Sequence, residues 1–201
     1  MINPNVNAYK NLVKAILKGS ITPLFQTNSF TKSGNIFYKI EKELVKLVNL
    51  EYFRFNSAVS FSFWFNIKIY CGNYENAKKI SEKILLADGP TAFFRKLGYL
   101  WNNKNHMYQI TPNTDPEELQ DKIVSDFTQK LFPFYNKINT FDDVINFLKE
   151  DNRDNFNTTT LAILLAIAGR KEESKEFFKH CPGDPEMIKN FAQLYGVTFD
   201  D

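Results

Sequence analysis

The sequence predicts an α+β fold: an antiparallel β-sheet meander packed against helices, with a C-terminal α-helical appendage. Three observations carry this. Between residues 35 and 71, consecutive runs rich in aromatic and β-branched residues are separated by short polar breaks. On either side of them, apolar residues recur at spacings of three and four. A polar stretch, Asp151 to Asn157, then precedes a segment with no strand pattern, which divides the chain into an α+β domain over residues 1–150 and a helical extension over 151–201.

Tyr9, Leu12, Val13, Ile16 and Leu17 form one apolar stripe of a helix, with Lys10, Lys14 and Lys18 on another face. Pro23 has no N–H to donate, and its ring crowds the carbonyl of Gly19. A kink or break is expected near residues 19–23, and an end before Phe30.

The runs Asn35 to Glu41, Leu44 to Phe55 and Ser60 to Cys71 read as successive antiparallel strands. In the last of these, Phe61, Phe63, Phe65, Ile67 and Ile69 alternate with Ser62, Trp64, Asn66, Lys68 and Tyr70, so one side faces a core and the other is polar with two large aromatics. An even-length loop around Asn56 to Val59 sets Phe55 opposite Ser60. Val48, Leu50 and Tyr52 then join the apolar side, while Asn49, Glu51 and Phe53 join Trp64, Asn66 and Lys68. An odd loop would flip every partner and strand Val48 and Leu50 among polar groups, so burial selects the even register.

Tyr74 to Leu86 has helical composition and stops at Asp88-Gly89-Pro90. Arg95 to Leu100 and His106 to Ile110 read as two further short strands joined by Asn102-Asn103-Lys104-Asn105. Asp115-Pro116-Glu117-Glu118 carries an N-cap, a proline at the first helical position and early acid groups, followed by Leu119, Ile123, Val124, Phe127 and Leu131 at helical spacing. Thr140 with Asp143 starts a short helix. Beyond the polar break, Thr158 to Ala168 is apolar almost all round and stops at Gly169, and Lys171 to Cys181 and Asp184 to Tyr195 add two more helices.

The composition restricts function more by exclusion than by indication. Among 201 residues, 25 Lys and Arg against 23 Asp and Glu leave a net charge of +2, which excludes a polybasic nucleic-acid binder or an acidic tail protein. The 20 Phe and 9 Tyr are expected mainly in the core, since Lys, Asn and Ile are frequent too, as a coding bias would make them. Cys71 and Cys181 form no C-x-x-C pair, and no apolar run approaches the ~20 residues of a membrane span. A reduced, cytoplasmic protein without a disulfide framework is expected. The glycines support neither a dinucleotide fingerprint nor a phosphate loop, and the chain holds no G-x-S-x-G. His106 and His180 have no ligand spacing with the cysteines, so no metal and no cofactor is expected. The acid pairs Glu117–Glu118, Asp142–Asp143 and Glu172–Glu173 fall in first turns of helices, where they meet the positive end of the dipole.

What remains is the polar sheet face. Asn49, Glu51, Trp64, Asn66 and Lys68 combine amides, both charge signs and a large ring, the mixture that holds a small polar ligand or a protein segment. The competing expectation covers this face with a helix and pairs Asn49 with Asn66. A non-catalytic binding or interaction protein is the leading expectation. Its alternatives are an enzyme of unrecognised type using Glu51 and Lys68, and an RNA-binding module using Lys10, Lys14, Lys18 and Arg54. Nucleic acid is disfavoured because Arg is scarce and the strands lack an RNA-recognition pattern. Residues 1–112 carry 15 basic and 6 acidic side chains, a balance of +9, and residues 113–201 carry 10 and 17, a balance of −7. So uneven a layout implies an anionic partner for the first part, or attraction between the two parts.

The segment PLFQTNSFTKSGNIFYK, from Pro23 to Lys39, resembles the opening of the bacterial domain of unknown function 4304 family, whose members begin with a helix, a "GF"-type turn and a strand of the form "gntFyr". Val45 to Glu51 and Phe63 to Ile67 are similar to its next two strands, "vvnlQ" and "ftiNlg", and Phe94 to Leu100 to its "RiG" segment. The resemblance spans about residues 7–135. The chain departs from the pattern at Ser29 in the turn, at Glu51 in place of glutamine and at Lys68 near the third strand's glycine. The resemblance implies an α+β fold and a shared face for Asn49 and Asn66. It implies no activity.

Overall fold

In a computed structural model, which describes residues 4–72, 91–151, 157–194 and 196–199, the chain is an open antiparallel sheet with helices before and after it. Helix α1 (Pro4–Ile16) does not break at Pro23 but passes through a π turn, Leu17–Ile21, into α2 (Thr22–Thr27). A proline cannot be accommodated by an ordinary α turn without losing a bond and meeting a carbonyl, so the turn before it widens and the N–H of Thr22 donates to the carbonyl of Leu17, five residues back. The same device recurs before Pro133. There α3 (Pro116–Asp126) joins α4 (Phe132–Lys137) through a π turn, Phe127–Leu131, and the N–H of Phe132 donates to the carbonyl of Phe127.

The six described strands are β1 (Thr31–Ser33), β2 (Ile36–Ile40), β3 (Leu44–Tyr52), β4 (Phe61–Cys71), β5 (Thr91–Lys96) and β6 (Tyr108–Ile110), in the order β1-β2-β3-β4-β5 with β6 also on β4. The meander expected from the alternation is therefore present as β2 to β4. Strand β1 is an addition: Ser33 pairs with Ile36 across a two-residue loop in which Gly34 takes the left-handed φ of +59°. The strand expected over Arg95 to Leu100 is corrected. Only Arg95 and Lys96 belong to β5, and Leu97–Trp101 is a 3₁₀ helix closed by Asn102 in the left-handed region. The helix expected over Tyr74 to Leu86 lies outside the described residues.

The chain divides into two compact units. The first comprises Met1–Glu41, Val45–Ile69 and Phe93–Lys137; the second comprises Lys42–Leu44, Tyr70–Ala92 and Ile138–Asp201. In the first unit, phenylalanine builds the core. Phe25 stacks on Phe37 at 4.3 Å between ring centroids and meets Phe127 and Phe132 edge-on at 5.0 and 5.2 Å, while Phe127 also meets Phe65 at 4.9 Å. Helices α1 to α4 thus cover the Phe37–Phe65 side of the sheet. Each such ring contributes roughly 1.5–3 kcal/mol by burial. The hydroxyl of Tyr135, fully enclosed, reaches the carbonyl oxygens of Leu47 at 2.8 Å and Lys68 at 3.3 Å. On the same side, Lys46 is buried and its ammonium is neutralised by Glu41 at 2.9 Å.

The second unit carries α5 (Phe141–Glu150), α6 (Asn157–Ile167), α7 (Lys171–Lys179) and α8 (Pro185–Gln193). Thr140 and Asp143 form the reciprocal capping box that starts α5. Ala162, Ile163, Ala166, Phe178, Ala192 and Val197 form one core, and the Ser174 hydroxyl donates to the Ala162 carbonyl at 2.7 Å, so α6 and α7 approach closely through small residues. Glu173 receives Arg170 and Lys149, each at 2.6 Å, and these partners hold its carboxyl down at about 2. Among the described residues, no helix is long and apolar enough to cross a membrane.

Candidate functional site

The register across β3 and β4 decides which side chains share a face. Phe53 N–H donates to the Ser62 carbonyl at 2.9 Å, and at the other end Gly72 N–H donates to the Glu43 carbonyl at 3.0 Å. Both bonds belong to one register, in which Phe55 lies opposite Ser60, Glu51 opposite Trp64 and Asn49 opposite Asn66. Strand β2 adds Ile36 beside Asn49. The five residues singled out from the sequence, Asn49, Glu51, Trp64, Asn66 and Lys68, therefore lie on one side of the sheet and within the first unit.

Burial divides that side. Val45, Leu47 and Tyr70 are buried, so it is not polar and open along its whole length. Asn49, Glu51, Trp64 and Lys68 are half-buried. Asn66 sits deepest, 2 % exposed. Asn49 Nδ2 donates to Glu51 Oε1 at 3.0 Å, which fixes the amide and leaves its oxygen as the remaining acceptor. Asn49 and Asn66 do not bond to each other: Asn49 Oδ1 and Asn66 Nδ2 are both enclosed without a hydrogen-bond partner among the described residues. A donor and an acceptor left unmade inside a fold cost about 1–3 kcal/mol each.

Strand β5 adds two residues that the sequence pattern left off this face, Phe94 and Lys96. Lys96 Nζ lies 4.5 Å from the centroid of the Trp64 ring, and Lys68 Nζ lies 4.8 Å from that of Phe94. The signal was available: in β5, Phe94 and Lys96 alternate with Phe93 and Arg95, but a strand begun at Arg95 hid that parity. Phe53 and Phe55 continue the side beyond β3, meeting each other at 5.7 Å with Arg54 over Phe55. Lys10, in contrast, lies over Tyr52, whose position in the register faces the core side.

A second cluster involves His106. Its ring packs edge-on against Trp101 at 4.9 Å and Tyr108 at 4.8 Å, and the Tyr108 hydroxyl donates to Asp126 Oδ2 at 2.7 Å. His106 Nε2 is 4.0 Å from that oxygen and has no hydrogen-bond partner among the described residues. Burial pulls the imidazole below its ordinary value, against the pull of Asp126. Elsewhere, burial beside Glu43 pushes the Cys71 thiol up to about 12, and burial raises Cys181, so neither is a poised nucleophile. Among the described residues, no three His, Cys, Asp or Glu side chains are grouped to hold a metal ion.

A search of the curated proteins and one of the solved structures return no match. The model of a family described as Domain of unknown function (DUF4304) matches residues 21–137. That stretch is more than half of the 201 residues and contains α2, all six strands and every residue of the sheet face described above. The chain belongs to the DUF4304 family.

Proposed function

We propose that this chain is a non-catalytic binding protein, and that the side of the sheet bearing Asn49, Glu51, Trp64, Asn66 and Lys68 engages a protein segment or a small polar ligand. The observation that supports this most is the pair of amide atoms without a partner among the described residues, Asn49 Oδ1 and Asn66 Nδ2, at opposed positions on adjacent strands. A folding core gains nothing from them, whereas an amide-bearing ligand that displaces the side chains enclosing them presents the matching donor and acceptor. The half-buried Trp64 ring beside them supplies apolar area, and Glu51 supplies a further acceptor.

The substitution Asn66→Leu tests this, because it removes the polar atoms while keeping the branched shape of the side chain. The expected result is a fold more stable by about 1–2 kcal/mol in urea denaturation, with binding lost. Immobilised wild-type and Asn66→Leu chains are to be exposed to an extract of the native host, with retained protein and small molecules identified by mass spectrometry. Material held by the wild type and absent from the variant supports the proposal. Identical retention by both chains would sink it.

A further inference from the structure

We infer that the occupant of this face is an extended, acidic segment of a partner protein, with aromatic or aliphatic side chains among its carboxylates. This rests on the binding function proposed above and narrows it to one ligand class. The chief observation is the state of the two lysines. Lys68 and Lys96 each lie over a ring, at 4.8 and 4.5 Å, and among the described residues neither meets a carboxylate. An aromatic face attracts an ammonium through its quadrupole and holds it in place without neutralising it. Two positive charges held over rings on one half-buried face, with no carboxylate partner among the described residues, are complementary to a carboxylate-bearing ligand.

Beside these lysines stand rings that no core requires. Phe94 is 48 % exposed, Phe53 41 % and Phe55 73 %. Exposed apolar rings gathered beside polar groups mark an interaction surface. The span also favours a chain over a small molecule. From Ser62 to Lys68, β4 extends about 20 Å at ~3.3 Å per residue, the length of an extended peptide of about six residues. A compact ligand seated at Asn66 would leave Phe53 and Phe55 uncovered. A peptide also answers Glu51, since its backbone N–H groups can donate to that carboxylate. The phosphates of a nucleic acid would be repelled there.

The probe is a phage-displayed random library of peptides about ten residues long, enough to cross the face in extended form. The full chain should enrich peptides that combine Asp or Glu with Leu, Phe or Tyr. Two reversed charges in K68E/K96E should weaken the selected peptide by roughly tenfold or more. The same variant should turn its own enrichment towards Lys and Arg, a gain that misfolding cannot produce. Matching circular-dichroism melts for the two chains complete the control.

Enrichment of neutral or basic peptides by the wild type, or of none, overturns the inference. Tighter binding of single-stranded oligouridylate than of the selected peptide overturns it in favour of RNA. If the extract experiment still finds an Asn66-dependent ligand in those cases, the binding function stands and only the acidic-segment assignment falls.

Discussion

Asn66 and His106 illustrate two ways in which a polar side-chain atom is enclosed without a partner among the described residues. Asn66 stands in mid-strand, where alternation alone dictates its side of the sheet, and with Asn49 it was legible in the sequence as part of a shared face. His106 was not, because its burial depends on Trp101, Tyr108 and a turn that folds back on Gly98, none of which has a periodic signature. Its lowered value has a definite consequence for stability. The unfolded imidazole takes up its proton near the ordinary 6.5 and the folded one only at lower pH, so within that window the unfolded state binds more protons. Stability is therefore full above about 6.5 and falls as the pH drops through that value towards the folded one. Urea midpoints of the wild type should decline across this window, and those of His106→Asn should decline less. Parallel profiles would show that the stability change comes from other groups.

At the scale of elements, local chemistry was legible wherever a residue type has one dominant use. Asp115 caps α3 by accepting from the N–H groups of Glu117 and Glu118, and Thr140 caps α5 with Asp143, as their spacing indicates. The disturbance at Pro23 was legible too, but its form was not. Whether a helix breaks or widens depends on packing after the proline, and the burial of Ile21 and Phe25 keeps the helix in line through a π turn. The segment after β5 shows the reverse case: Leu97 to Leu100 has a strand-like composition, yet tertiary contacts set its conformation. A Cβ on Gly98 would run into the Asn103 carbonyl oxygen and the His106 Cβ, both close-packed against the 3₁₀ helix. Gly98→Ala should therefore force the turn open, at a cost of roughly 1–3 kcal/mol. Chemical denaturation measures that loss, and tyrosine and tryptophan near-ultraviolet dichroism should change with it. An unperturbed spectrum with wild-type stability would mean that the turn is not held by this contact.

For the whole molecule, the net charge of +2 conceals an opposition that follows the two compact units. The unit carrying the sheet face holds 14 basic and 7 acidic side chains, a balance of +7; the other holds 11 and 16, a balance of −5. These balances give opposite expectations for an acidic peptide. If the total charge governs encounter, a value of +2 steers weakly and salt matters little. If the unit bearing Lys68 and Lys96 governs it, association is fast at low salt and slows as the Debye length shrinks from ~30 Å at 0.01 M to ~8 Å at 0.15 M. Because the face itself is positive and its lysines lack carboxylate partners among the described residues, the second case is the expected one. Stopped-flow mixing with the selected peptide can follow Trp64 fluorescence in a Trp101→Phe background. The association rate should fall by roughly tenfold over that salt range, with a much smaller change in dissociation, because the ring contacts that hold the bound peptide are insensitive to screening. A flat association rate would place the recognition in the aromatic and amide groups alone and remove the charge from the account of this face.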